Sequence, residues 1–490
     1  MADAPTRAAP AQPGQRDLTT GPINVTLLLF ALPTLGSSIL QSLNGSINAI
    51  WIGQFLGETA LAATTNANII MFLMFAAVFG FGMAATILIG QSLGRRDVDA
   101  ARRVVGTTAG MFGAISVVVG VAGWFAAPAL LHLLATPADV YPLALSYLRV
   151  IFISMPPSFL SVLLMMSLRG AGDSLTPLWF MMLGAAVDVT LNPILILGLG
   201  PAPEMGIAGA ATATLIANVV SLGGLLAYIY RRDLLLRLRG PELRYLIPEP
   251  VLLKAIVAKG LPMGLQMLVM SSSALVMIGL VNRQGTTVTA AYGAASQLWT
   301  YIQMPAMAVG AAVSAMAAQN IGAGRWDRVG RITRGGVMLN LALTGSLILA
   351  VTLAERHVLW LFLGTDGSAI EAAEHINRLV AWSFALFGVS MVLSATMRAN
   401  GAVIAPLIIL FVAAFPIRLG LALTTGPWLG ADGLWWSFCA GSVASLLLTI
   451  GYYRFGTWRD KRMAVPPSAI ETQEQALADC EPAGAVKPVG

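Results

Sequence analysis

Reduced to hydrophobic and polar positions, the chain is a succession of long apolar runs with short polar connections. Runs long enough to cross about 30 Å of hydrocarbon fall at 24–52, 60–90, 104–131, 141–167, 176–199, 207–230, 252–281, 288–319, 332–354, 374–397, 403–425 and 432–453. They predict an all-α polytopic membrane protein with about twelve transmembrane helices. No stretch shows the alternation of apolar and polar positions, about ten residues long, that marks a membrane β-barrel strand. The opening "MADAPTRAAPAQPGQRDLTT" is polar and rich in Ala and Pro. It lacks the basic-then-apolar form of a cleaved signal peptide, so the first apolar run is expected to stay in the protein.

The pattern repeats. "GETALAATTNA" at 57–67 matches "GTTVTAAYGAA" at 285–295, "GQSLGRRDVDAARR" at 90–103 matches "AQNIGAGRWDRVGR" at 318–331, and "SLRGAGDSLTP" at 167–177 matches "TMRANGAVIAP" at 396–406. The offset stays at 228 or 229 residues, so two six-helix bundles are expected to share one ancestral plan. Both begin on the same side of the membrane, which makes the repeat parallel, with a pseudo-two-fold axis along the membrane normal. The expected domains are a disordered tail (1–22), an N-terminal bundle (23–230), a basic linker (231–251), a C-terminal bundle (252–456) and a second disordered tail (457–490).

Charge sets the orientation. Arg95, Arg96, Arg102 and Arg103 follow the second span, Arg231, Arg232, Arg237, Arg239 and Arg244 the sixth, and Arg325, Arg328, Arg331 and Arg334 the eighth. Connections after the first, fifth and eleventh spans carry no Lys or Arg. The positive-inside rule then puts both termini in the cytoplasm. Composition fits a multi-pass protein: 57% of the 490 residues are hydrophobic and only 11% charged. The net charge of +6 sits in short clusters between apolar runs, which excludes a nucleic-acid face. Two Cys and three scattered His give no disulfide framework or metal spacing.

One residue violates the pattern. Asp188 stands in the middle of the fifth run, "LGAAVDVTLNPILILG", where a carboxylate costs about 2.5–3.5 kcal/mol on insertion scales. Asn192 lies four residues on, hence on the same helix face. At 1.5 Å per residue from Thr176, this pair is about 18–24 Å into the span. Gln41, Asn44 and Asn48 form a polar stripe along the first span, and Thr212, Thr214 and Asn218 lie on the sixth. Bundling is expected to gather these groups around one carboxylate. Such an acid can couple transport in two ways. Binding a proton cancels its attraction for a cation and losing it restores that attraction. Alternatively, the carboxylate with Asn48 and Asn192 oxygens forms a hard-oxygen cage for Na⁺. A third reading is a buried anchor that never changes its occupant. Pro33 removes one helical hydrogen bond and is the candidate hinge. Arg418, in the eleventh run, either snorkels to an interface or meets an anionic substrate or lipid.

Taken together, "ALPTLGSSILQSLNGSINAIWIG", "GQSLGRRD", "AQNIGAGRWDR", "LRGAGDSLTP" and "LNPILILG…GIAGAATAT" resemble the multidrug and toxic compound extrusion (MATE) family over about 22–456. The resemblance implies a V-shaped protein with two bundles that exports organic, often cationic, compounds in exchange for Na⁺ or H⁺. The chain departs from the family pattern. Fifteen residues after Pro33, where members commonly carry Asp, stands Asn48, and the usual fifth-span Asn-then-Asp order is exchanged as Asp188 and Asn192. Eight residues after Pro262, where one subgroup places Glu, stands Met270.

The expectation is a secondary active antiporter in the inner membrane of a bacterium, monomeric, with a small organic substrate, membrane lipid around it and no cofactor beyond the coupling ion. The alternatives are a flippase for lipid-linked saccharides, which needs several Arg or Lys in its cavity, and a non-transporting membrane receptor, which needs a ligand or signalling domain outside the bilayer. An enzyme is not expected: the chain has no GxxxxGK[ST] loop and no Ser/His/Asp grouping.

Overall fold

The computed structural model describes residues 17–461 and 463, apart from 135, 201, 202, 365, 366, 426–429 and 431. The greater part of both tails, 1–16 and 464–490, thus lies outside the described residues, as does 462. Those described form helices, turns and loops, without a strand. The helices are α1 (Ile23–Gly94), α2 (Val98–Leu133), α3 (Tyr141–Gly170), α4 (Leu175–Leu197), α5 (Ile207–Arg231), α6 (Pro250–Asn282), α7 (Thr286–Gly322), α8 (Trp326–Leu363), α9 (Gly367–Val380), α10 (Ser383–Ala399), α11 (Ile404–Val412), α12 (Gly420–Thr424) and α13 (Asp432–Phe455). Among the described residues, 11 helices are long and apolar enough to cross a membrane, or 12 when α9 and α10, bent by 44°, count as one broken span. The run α1 contains the first two spans. Gly57 breaks it with φ 81° and ψ −175°, a conformation open to glycine and strained for a residue with a Cβ.

The helices form two lobes, α1–α5 and α6–α13; one apolar core fills the first lobe and continues onto α6 and α7, and another lies within the second lobe. The hydrogen bonds between lobes cluster at the end that carries the two termini. There the repeat produces a crossed latch. Gln91 Nε2 of the first lobe donates to Ala399 O of the second (2.7 Å), and Gln319 Nε2 of the second donates to Gly170 O of the first (3.1 Å). Gln91 and Gln319 occupy equivalent places in the repeat, as do Gly170 and Ala399. Gly94 and Gly322, another equivalent pair, let the backbones meet: a Cβ on Gly94 would lie 2.0 Å from Gln319 O, and one on Gly322 2.1 Å from Gln91 O.

Residues 17–22 correct the expected disorder of the N-terminal tail. Leu18 is fully buried, its N–H donates to Gln319 Oε1 (3.2 Å), and its carbonyl accepts from Asn320 Nδ2 (2.9 Å). An apolar side chain inside a polar stretch, with both backbone groups satisfied by side chains of the other lobe, holds the segment in place. At the other end Trp458 is buried and stacks on Tyr453, and its carbonyl accepts from Asn400 Nδ2 (2.8 Å). The linker is also docked: a 3-10 turn at Gly240–Leu246 lies on α2, flanked by ion pairs Arg102–Glu242 and Arg103–Glu249 at 2.6 Å each.

Asp173 fixes the entry to α4. Its buried carboxylate accepts from the N–H of Leu175 (3.0 Å) and of Thr176 (2.9 Å) and from Thr176 Oγ1 (2.6 Å). These backbone donors have no partner within the first helical turn. Asp173→Ala is expected to cost about 1 kcal/mol, read as a lower melting temperature of the purified protein. Asp173→Asn, which keeps an acceptor oxygen, should recover most of it.

Candidate functional site

Three spans of the first lobe converge on Asp188. On α4, Asp188 and Asn192 are one turn apart and both buried. On the first span, Asn44 and Asn48 are likewise one turn apart. Oδ2 of Asp188 accepts from Asn44 Nδ2 (2.9 Å) and Asn48 Nδ2 (2.8 Å). Oδ1 accepts from Thr214 Oγ1 of α5 (3.1 Å) and Asn192 Nδ2 (3.3 Å). Asn192 Nδ2 also donates to Asn48 Oδ1 (2.9 Å), closing a ring. No Lys, Arg or His donates to the carboxylate among the described residues, so neutral dipoles alone compensate its charge. A buried carboxylate persists only with such partners.

Two acceptors in this cluster, Asn44 Oδ1 and Asn192 Oδ1, are buried without a donor. They lie on the residues whose amide nitrogens hold the carboxylate. The oxygen set of one carboxylate and up to three amide carbonyls matches what Na⁺ takes. It also suits a proton: if the Asn44 amide turns over, its unpaired oxygen accepts a hydrogen bond from a protonated Asp188.

The other expected site residues fall differently. Gln41 is exposed and does not bond to Asp188. Thr212 turns its hydroxyl to Ala208 O of its own helix (2.7 Å), and Thr214, two positions on, takes the place by the carboxylate. Asn218 donates to Ser158 Oγ (2.9 Å), away from the cluster. Pro33 lies between two segments with different allegiance. Before it, Leu27, Phe30 and Ala31 pack on Val309, Val313 and Met316 of the second lobe. After it, Asn44 and Asn48 bind the first lobe's carboxylate.

The second lobe and its border with α1 hold features that the sequence did not reveal. Two adjoining cavities, of about 260 and 240 Å³, share Met270, Gln303, Phe387, Leu410 and Ser445 as walls. Arg418 lines the first and Arg398 the second, whose wall also carries Met83, Met263, Met267, Met307 and Met391. The methionines come from four different helices, so no local run marked them as one wall. Glu355, like Asp173 and Asp188, is a buried carboxylate, accepting from Asn377 Nδ2 (2.8 Å). By composition the ninth apolar run ends at 354, just short of this residue, whereas α8 continues to Leu363.

The MatE family profile matches residues 33–194 and again 262–424, one match in each half. The chain is 34% identical over 440 residues to a probable multidrug resistance protein, YoeA, of Bacillus subtilis, covering 89% of this chain and 95% of that one. It is 30% identical over 451 residues to a second from the same organism, YpnP, covering 91% and 98%. In three dimensions it resembles the outward-facing conformation of a multidrug resistance MATE family transporter, with a TM-score of 0.82 at 21% identity, over 91% of this chain and 98% of that chain. Two matched halves, two lobes and relatives aligned over nearly their whole length lead to one conclusion: the chain belongs to the MatE family.

Proposed function

We propose that the chain is a secondary active multidrug exporter of the bacterial inner membrane, acting as a monomer with both termini in the cytoplasm. Organic compounds leave in exchange for H⁺ or Na⁺ taken up at Asp188. The observation that carries this reading is the sealed carboxylate joining three spans of one lobe. A change of its occupant alters which helix packing is favoured, and a ligand shifts such an equilibrium only through its differential affinity for the two states. With no occupant, the amides of Asn44 and Asn48 tie the first span to α4. When a proton or Na⁺ takes the carboxylate's lone pairs, those amides must turn or let go. The first span then moves about Pro33, which lacks the N–H that would bond to Leu29 O, and the lobes rock at the crossed latch. No enzymatic step is part of the proposal.

The test is efflux of a fluorescent organic dye from energised everted vesicles, with a Na⁺ pulse and a proton gradient applied separately. One of the two must drive dye movement above that of vesicles lacking the protein; movement under neither refutes the exporter reading. In the same assay Pro33→Ala should slow ion-driven efflux several-fold, because alanine restores the missing helical bond, while equilibrium dye binding to the purified protein stays unchanged. Equal rates for Pro33→Ala and wild type would remove Pro33 as the hinge.

A further inference from the structure

The eleventh span changes its helical form where it meets the cavity. It runs as α11 over Ile404–Val412, widens to a π-helix over Ala413–Leu419 around Pro416, and resumes as α12. A π turn holds more residues than an α turn and is commonly found at functional sites. Here it carries Arg418, whose guanidinium carbon lies 3.4 Å from the centre of the Phe438 ring. The Arg418 Nε is withdrawn from solvent and has no hydrogen-bond partner, and no carboxylate pairs with the side chain among the described residues. Arginine cannot shed its charge in a protein. The residue is half-buried, and a guanidinium in such a setting with no counter-charge beside it is unfavourable until an anion reaches it. The observed stacking also departs from snorkelling, in which the head group escapes to the membrane surface.

The walls have a consistent polarity. Among the described residues, no Asp or Glu lines either of the two adjoining cavities. Arg398, at the second, is buried and donates to Gln266 Oε1 (3.1 Å), but its Nε is also unpartnered. Around Arg418 stand the rings of Tyr292, Trp299, Phe384 and Phe438, with hydroxyls of Ser296 and Ser442 among them. A guanidinium fork matches a carboxylate in a bidentate pair, and aromatic walls take an aromatic body.

The geometry points to a binding site in the second lobe for aromatic organic carboxylates, in which Arg418 is the counter-charge. The inference rests on the exporter reading and names the substrate class that this cavity takes. It separates two labours: the acid in the first lobe handles the coupling ion, and the cation in the second lobe handles the transported anion. One guanidinium with hydroxyls suits a monoanion; a phosphate dianion calls for more donors than Arg418 alone provides.

The experiment compares two fluorescent probes that differ in one group, dansylglycine and its uncharged amide, binding to the purified full-length protein in phosphatidylcholine nanodiscs. Wild type is expected to bind the carboxylate about ten-fold more tightly than the amide, the scale of one charge-assisted hydrogen-bonded pair. Arg418→Gln should bind the two probes alike, and Arg418→Lys should keep part of the preference, which separates lost charge from a damaged fold. Equal binding of the probes by wild type, or an undiminished preference in Arg418→Gln, overturns the inference. So does loss of the wild-type preference when anionic phosphatidylglycerol replaces part of the nanodisc lipid, because the site would then belong to a lipid headgroup. Binding is read without any ion gradient, so failure of vesicle efflux and failure of this assay are distinct results.

Discussion

Asp188→Asn is expected to reduce ion-driven export to the level of vesicles without the protein, under a Na⁺ pulse and a proton gradient alike. The substitution keeps the side chain's size and removes the charge. A carboxamide at this position neither takes up a proton nor offers Na⁺ a charged oxygen. It also disturbs the hydrogen-bond ring. The two carboxylate oxygens accept from Asn44, Asn48, Asn192 and Thr214, whereas an amide has one accepting oxygen and points N–H groups at two of those donors. Leaving buried donors unpaired costs about 1–3 kcal/mol, so the variant's melting temperature should be measured beside its transport. A folded, silent protein supports coupling at Asp188. Export equal to wild type under both gradients would show that the acid is an anchor. Asn48→Ala is the companion test, since Asn48 both donates to Asp188 and accepts from Asn192. It should weaken export less than Asp188→Asn. If it alone abolishes export, the site centres on the first span.

The residues of this cluster differ in how visible they were in the sequence. Asp188 stood out because a charge in an apolar run is itself an anomaly, and Asn192, Asn44 and Asn48 followed from helical spacing. The choice between Thr212 and Thr214 did not follow. Two positions on a helix differ by about 200° around its axis, and only the packing of α5 against α3 and α4 fixes which one faces inward. Gln41 fits the stripe by period but sits a turn or more away from the level of Asp188 and is exposed. Arg418 was as visible as Asp188, yet its surroundings were not, because a π turn breaks the period on which facing is inferred. The twelve-span plan and the repeat were readable because both are one-dimensional patterns. The order in residues 17–22 was not, since Leu18 gains its partners 301 and 302 residues away in the chain.

The repeat leads to the second large effect, at the latch. Gly94→Leu and Gly322→Leu should each prevent the lobes from closing at the terminus-bearing end. Even a Cβ at these positions falls 2.0 and 2.1 Å from a carbonyl oxygen of the other lobe, inside any permitted contact. The obstacle is backbone on both sides, so no side-chain rotation relieves it and the helices themselves must separate. Separation breaks the crossed bonds from Gln91 to Ala399 and from Gln319 to Gly170. The three atoms nearest to each such Cβ all belong to the other lobe, so the expected result is a shift of population toward the arrangement open at this end, not unfolding. Spin labels at Arg95→Cys and Asp327→Cys, which line one cleft beside the latch, would report it in a protein whose native cysteines are replaced by serine. The distance between labels should lengthen in either leucine variant, and ion-driven export should stop because the transporter no longer completes its cycle. Gln91→Ala combined with Gln319→Ala is the graded counterpart: it removes two hydrogen bonds without adding bulk and should shift the same distance distribution only in part. An unchanged distance in Gly94→Leu, with the protein still folded, would mean that the close approach at the latch is not what holds the lobes together.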